Sequence, residues 1–231
     1  GLMDFLEEWL VRVMGGRSQR VQKLIEFIAS LDVDAIVLTE FRCGHSGNQI
    51  QSELLATGYK HQSSSSVERA KNCVLLASRI RMEVIDWAAG PAGHEHCLAI
   101  MAIGEIKIVG AYFPQLQAKR PVFEQALSLL PEMSPLGLLV GDLNTGLPFE
   151  DEEGDTFSCV DSFSSLLAAG FVDAWRLRHP AKKEYSWFSR LGNGFRIDHA
   201  LCTPEFNRRV ASVEYIQSCR ITGITDHAAL L

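Results

Sequence analysis

Apolar positions recur along this chain in two periods. Val21, Leu24, Ile25 and Ile28 fall at offsets 0, 3, 4 and 7 behind Ser18, a residue suited to cap a helix, and predict an amphipathic helix to about Ser30. Shorter apolar runs predict strands. Val11 to Met14 is a candidate first strand broken by Gly15-Gly16, and Asp34 to Leu38 is a buried one that ends on Thr39-Glu40. Cys73 to Ser78 and Met82 to Trp87 read as a pair of strands, with the polar Ser63 to Ser66 run before them as solvated linker. Leu98 to Ile103 and Ile106 to Phe113, joined at Gly104-Glu105, predict a hairpin. Leu136 to Val140 predicts another buried strand, and further short ones fall at Tyr185 to Phe188, Phe195 to Thr203 and Val210 to Ile216. Helices are expected over Gln49 to Thr57, over Pro121 to Leu130 with Pro at the first position, and over Phe163 to Ala169, stopped by Gly170.

These elements follow one another without a linker, so residues 1–231 read as a single α/β (α+β) domain. The order excludes a simple Rossmann unit, and neither Gly-x-Gly-x-x-Gly nor a P-loop occurs.

Composition narrows the setting. Hydrophobic residues are 47% of the chain, enough for a sizeable core, yet no stretch approaches the roughly 18 consecutive apolar residues of a membrane span. The start, with Asp4, Glu7 and Glu8, is acidic where a signal peptide is basic. Six cysteines without a Cys-x-x-Cys pair read as reduced core residues. The expectation is a cytoplasmic, monomeric protein that does not engage a membrane. Net charge is −6, but Glu150, Asp151, Glu152, Glu153 and Asp155 lie in one segment. Setting those five aside leaves 23 of the 28 acids against 22 Lys and Arg, a net of −1, so the acidity belongs to one loop.

The chemistry gathers at strand ends. The run Leu136 to Val140 exits into Gly141-Asp142-Leu143-Asn144, whose Asp and Asn, two apart on an extended backbone, point the same way. Taken alone this is equally a strand end closed by an Asx turn. Glu40 closes an earlier strand, Tyr112 closes the hairpin's long strand, Arg196-Ile197-Asp198-His199 interrupts an apolar run, and Thr225-Asp226-His227 stands before Ala228 to Leu231. Each has a dull explanation as a turn or a paired core residue; joint occurrence at strand ends points to a ligand or catalytic site. If Glu40, Asp142, Asp198 and Asp226 converge, their mutual repulsion calls for a cation, and Mg²⁺, content with one or two carboxylates plus water, is the natural one.

Six stretches, in order, resemble the endonuclease/exonuclease/phosphatase superfamily and within it the exonuclease III and abasic-site endonuclease branch. They are Leu38-Thr39-Glu40, Ala111-Tyr112-Phe113-Pro114-Gln115, Gly141-Asp142-Leu143-Asn144, Tyr185-Ser186-Trp187-Phe188, Arg196-Ile197-Asp198 and Thr225-Asp226-His227. The resemblance implies a four-layer sandwich of two mostly antiparallel β-sheets flanked by helices. It also implies hydrolysis of phosphodiesters in nucleic acid, DNA foremost, with Mg²⁺ or Mn²⁺. By the same resemblance Glu40 holds the metal with Asp226 as a further ligand, Asp142 orients or deprotonates the attacking water, and Asn144 hydrogen-bonds the phosphate. His227, held by Asp198, stabilises developing charge, Tyr112 lies beside the scissile phosphate, and Trp187 and Phe195 contact substrate.

One departure stands out. The family's first-strand Asn, which supports the metal site, has no counterpart, since no Asn precedes Asn48. The expectation is that residues are absent between Met14 and Gly15. Two other functions compete: a phosphoesterase acting on a small molecule or lipid, which in this superfamily carries a His near the position of Tyr112, and a non-catalytic binding protein that keeps the fold. His94-Glu95-His96-Cys97 lacks the second ligand pair that a structural zinc site needs.

Overall fold

The computed structural model describes residues 18–85 and 91–231; the candidate strand Val11 to Met14, with its lacking Asn, lies outside the described residues. In chain order the elements are α1 (Ser18–Leu31), β1 (Ala35–Phe41), α2 (His45–Ala56), β2 (His61–Ser64), β3 (Cys73–Ser78), β4 (Glu83–Val84), β5 (Leu98–Ile103), β6 (Ile106–Tyr112), α3 (Arg120–Ser128), α4 (Leu130–Met133) and β7 (Gly137–Asp142). There follow α5 (Val160–Ala168), β8 (Val172–Asp173), α6 (Ala174–Arg178), β9 (Trp187–Phe188), β10 (Gly194–Phe195), β11 (Asp198–Cys202), α7 (Pro204–Asn207), β12 (Tyr215–Ile216), α8 (Ser218–Ile221) and β13 (Ala229–Leu230).

Two sheets dominate, one ordered β1-β3-β2 and one ordered β4-β5-β6-β7-β11-β8. Every pairing in them is antiparallel except β6 with β7. Between the sheets Val37, Val74 and Leu76 pack with Met101, Ile108, Leu138 and Val140. On the outer face of the smaller sheet, Val21, Leu24 and Ile28 of α1 and Ile50 and Leu54 of α2 cover Ile36, Leu38 and Leu75. On the outer face of the larger, α3 and α5 bring Phe123 and Phe163 onto Val109, Leu139 and Leu201. The result is the expected helix–sheet–sheet–helix sandwich. The sheets pack directly against Gly110, where an added Cβ would lie 2.7 Å from Val37 Cγ1 and 2.9 Å from Val74 Cγ1.

The β5–β6 hairpin turns at Gly104 and Glu105 as read from sequence, with Ile103 opposite Ile106. Four expectations fail, the first over Val210 to Ile216, where only Tyr215–Ile216 is strand because only these two pair, with Leu230 and Ala229. Ser63 and Ser64 belong to edge strand β2, because ladder hydrogen bonds are made by backbone and a polar run at an edge keeps its side chains toward solvent. Cys73 to Ser78 does not pair with the segment after Met82; β3 lies between β1 and β2, while Glu83 and Val84 join β5 in the other sheet, with Asp86 and Trp87 outside the described residues. The run Phe195 to Thr203 is two strands, since Phe195 pairs with Trp187 and only Asp198 onward joins β7.

Among the described residues no helix is long and apolar enough to cross a membrane. All six cysteines are free and five are buried, and burial pushes the thiols of Cys97 and Cys202 up to about 12.

Candidate active site

Register builds the centre of the site. Tyr112 lies opposite Asp142 in the parallel pair, and Asp142 lies opposite Asp198 in the antiparallel one, so three adjacent strands end in one polar row. Side chains alternate along a strand, and Val140 and Ala200, two residues away, pack between the sheets; the row therefore stands on the inter-sheet face, where the hydrophobic filling runs out. Gly141 permits this closeness: its φ is 140°, and an added Cβ would sit 2.0 Å from the Ala111 carbonyl oxygen.

The opposing sheet contributes Glu40. Continuing the alternation of β1 would turn this side chain to the helix side, but the register slips between Leu38 and Phe41 and Glu40 takes φ 55°. The bulge brings its carboxylate to Tyr112, whose hydroxyl donates to Oε1 at 3.1 Å. Burial, the largest influence, pushes the Tyr112 hydroxyl up to about 12, with Asn72 pulling it down and Glu40 and Asp142 raising it, so it is a neutral O–H at ordinary pH.

Asp142 is fully buried and accepts from the Asn144 backbone N–H at 2.9 Å and from Asn144 Nδ2 at 3.0 Å. Nδ2 also donates to the Phe113 carbonyl at 2.8 Å. Both acceptors can only face an NH₂ group, so the amide orientation is fixed and its oxygen is left for the cavity that Asn144 lines. His227 Nδ1 donates to Asp198 Oδ2 at 2.6 Å, which turns Nε2 away from Asp198. Tyr215 O–H on the Asp198 carbonyl and Ser186 Oγ, accepting from the Asp198 N–H at 3.2 Å, hold the acid in place.

A cavity of about 320 Å³ opens in front of this row. Glu40, Asn144, Asp226 and His227 form its polar wall; Trp187, Phe195 and Phe157 form an aromatic one, with Trp187–Phe195 and Phe157–Phe195 centroids 5.6 and 5.8 Å apart. Tyr112, Asp142 and Asp198 stand behind the wall and reach it through Glu40, Asn144 and His227 respectively. The structure thus gathers every residue singled out in the sequence.

Three residues escaped the sequence reading. Lys119, 2% exposed, donates from Nζ to the Asn144 carbonyl, and burial pushes its ammonium pKa down. Asn72 donates to the Tyr112 hydroxyl, and Phe157 completes the aromatic wall. None belongs to a local pattern that differs from ordinary surface or core sequence.

The five acids of the acidic loop divide, with Glu150, Glu153 and Asp155 exposed and the other two turned inward. Asp151 and Glu152 are interior, Asp151 bound by the Arg196 and Arg176 guanidiniums at 2.7 Å each and Glu152 by the backbone N–H groups of Thr156 and Phe157. Burial by itself would raise the Asp151 and Asp173 carboxyls, but buried Arg196 between them holds both below the usual range. The loop is folded under the site and offers Thr156, Phe157 and Ser158 to the cavity.

Among the described residues no three His, Cys, Asp or Glu side chains form a closed metal cage. The donors that reach the cavity, Glu40 and Asp226, are hard carboxylate oxygens. That set fits a cation of the Mg²⁺ type, which keeps most positions for water and substrate oxygens, and does not fit a structural zinc ion.

The sequence pattern of the Endonuclease/Exonuclease/phosphatase family matches residues 13–227. Among solved structures, a point variant of the 3′ phosphatase NExo from Neisseria, bound to a product DNA hairpin, superposes with a TM-score of 0.80 at 20% identity over 95% of each chain. An AP endonuclease from Archaeoglobus fulgidus gives 0.76 at 19% identity, also over 95% of each chain. The 3′-5′ exonuclease NExo from Neisseria meningitidis gives 0.76 at 21%, over 96% of this chain and 97% of the other. With its family pattern spanning the site from Glu40 to His227, this chain belongs to the endonuclease/exonuclease/phosphatase family of hydrolases acting on phosphoester bonds.

Proposed function

We propose that this hydrolase is a divalent-metal-dependent nuclease of the exonuclease III type, with DNA as substrate. The observation that carries the reading is the Tyr112–Asp142–Asp198 row with Tyr112 bound to Glu40 at 3.1 Å and Asp198 to His227 at 2.6 Å, so that Glu40 and His227 share one cavity wall in front of it. Glu40, with Asp226 on the same wall, would hold Mg²⁺ or Mn²⁺, and the bound ion supplies Lewis acidity at a phosphoryl oxygen.

The chain's own groups divide the remaining work. His227 presents Nε2 to the phosphate, with Asp198 fixing the tautomer and balancing positive charge on the ring. Asp142, pinned by Asn144, orients the attacking water and takes its proton; with both Nδ2 hydrogens spent on Phe113 and Asp142, Asn144 has no side-chain donor for the phosphate contact expected from the resemblance, and its amide oxygen accepts a hydrogen from that water instead. Tyr112 remains protonated and donates. Trp187, Phe195 and Phe157 offer flat apolar faces to the sugar and base beside the scissile bond. The interior placement of Asp151 and Glu152 takes two of the loop's five acids off the surface that a duplex would meet, while Glu150, Glu153 and Asp155 stay exposed.

A phosphoesterase of small molecules is the second reading, favoured by a cavity volume at the lower end of small-ligand sites. The purified chain assayed with Mg²⁺ on abasic duplex, nicked duplex, single strands and a generic phosphodiester separates the two. Cleavage of DNA is the expected result, and turnover confined to the small ester would replace the first reading by the second. Asp142→Asn and His227→Ala should each lower kcat by about 10²- to 10⁴-fold with unchanged unfolding midpoints.

A further inference from the structure

Tyr112 is gripped from two sides, and the second grip belongs to a residue outside the row of strand ends. Asn72 directly precedes β3, and Cys73 is paired with Phe41, so Asn72 and Arg42 meet where β1 and β3 end. Arg42 Nε donates to Asn72 Oδ1. A guanidinium has no acceptor, so this contact forces the amide oxygen toward Arg42 and the NH₂ toward Tyr112, which it reaches at 3.4 Å. The Tyr112 oxygen therefore receives a hydrogen from Asn72 and sends its own to Glu40, at 3.1 Å. The chain Arg42–Asn72–Tyr112–Glu40 crosses from the smaller sheet to the larger and back, with every donor direction set by the Arg42 guanidinium, which carries donors only.

We propose that Asn72 is a positioning residue for the hydrolytic reaction: it fixes the direction of the Tyr112 hydroxyl, and Arg42 fixes Asn72. The proposal rests on the reading of Tyr112 as the hydroxyl beside the scissile phosphate. The bond at 3.4 Å is long for an amide donor, and such contacts shorten when substrate closes the site. Asn72 does not line the cavity; its whole effect passes through Tyr112, and that dependence can be measured.

The test is a double-mutant cycle on an abasic-site duplex with Mg²⁺, or on bis(p-nitrophenyl) phosphate if that is the ester cleaved. Asn72→Ala should lower kcat about tenfold, the share of one oriented neutral hydrogen bond, with little change in KM. In the Tyr112→Phe background the same substitution should change nothing. Asn72→Asp keeps the volume and the partner for Arg42 but turns an acceptor toward Tyr112; it should lose kcat comparably while its unfolding midpoint stays at or above that of the unsubstituted protein. Equal losses from Asn72→Ala in both backgrounds, or full activity of Asn72→Asp, would overturn the positioning role and leave the Tyr112 reading intact. Full activity of Tyr112→Phe would instead remove that reading, and the proposal with it.

Discussion

At the scale of single residues, the legible part of the site is the part that closes a strand. Glu40, Tyr112 and Asp142 stand where an apolar run stops and Asp198 where one begins, and a carboxylate or hydroxyl at such a place has a local signature that sequence carries. Lys119 had none. It lies in Gln117 to Arg120, a polar run that reads as solvated surface, and its burial follows only from where the segment between β6 and α3 comes to rest. Its ammonium nevertheless holds the carbonyl of Asn144, a residue at φ 51°, and so supports the amide that clamps Asp142. Lys119→Met should leave that carbonyl without a partner, costing about 1–3 kcal/mol of stability. Because Asn144 then loses its fixed orientation, kcat should fall further than the stability loss alone accounts for. Urea unfolding and Mg²⁺-dependent turnover on the same preparation check both halves.

At the scale of elements, local pairing was readable and distant pairing was not. The β5–β6 hairpin needs only two apolar runs and a Gly-containing turn, whereas the apolar character of Cys73 to Ser78 states that it is a strand and not which strand adjoins it. The inward turn of Asp151 was unreadable for the same reason, since its partner Arg196 lies 45 residues away in sequence. That partnership joins the loop, β8 and the link between β10 and β11, and makes stability depend on pH with a definite sign. Asp151 and Asp173 have carboxyls depressed below the ordinary 3.8, so the unfolded chain takes up their protons first. Their contribution is complete above that value and is lost as pH falls below it toward the depressed folded value. Asp173→Asn keeps an oxygen to cap α6 through the Arg176 N–H but removes one anion from Arg196. It should cost about 3–5 kcal/mol at neutral pH, and its stability should then decline less steeply than that of the unsubstituted protein below about pH 4. Denaturant titrations at a series of pH values between about 7 and 3 give both slopes; parallel acid limbs would show that Arg196 does not govern them.

At the scale of the whole molecule, the site exists because two sheets stand at a set separation: Glu40 comes from one, and Tyr112, Asp142 and Asp198 from the other. The sheets are in tight contact at Gly110, two residues before Tyr112, where Val37, Val74 and Leu76 close over the bare backbone. Gly110→Ala places a methyl within 2.9 Å of all three side chains, and either they shift or the sheets part. Overpacking of this kind costs about 1–3 kcal/mol. Its effect on the reaction separates the two outcomes, because parting the sheets lengthens the Tyr112–Glu40 bond of 3.1 Å and moves the carboxylate proposed to hold the metal away from the row that would act with it. Ile103→Val, at the other end of β5, is the matched control; it is buried in the same inter-sheet core and should cost about 0.5–1.5 kcal/mol with kcat unchanged. We expect Gly110→Ala to lower kcat about tenfold or more, since misplacement of about 1 Å is costly to catalysis. Equal kcat in the two variants would mean that the core absorbs the methyl by side-chain rotation and that sheet spacing is not what tunes the distance from Glu40 to Tyr112.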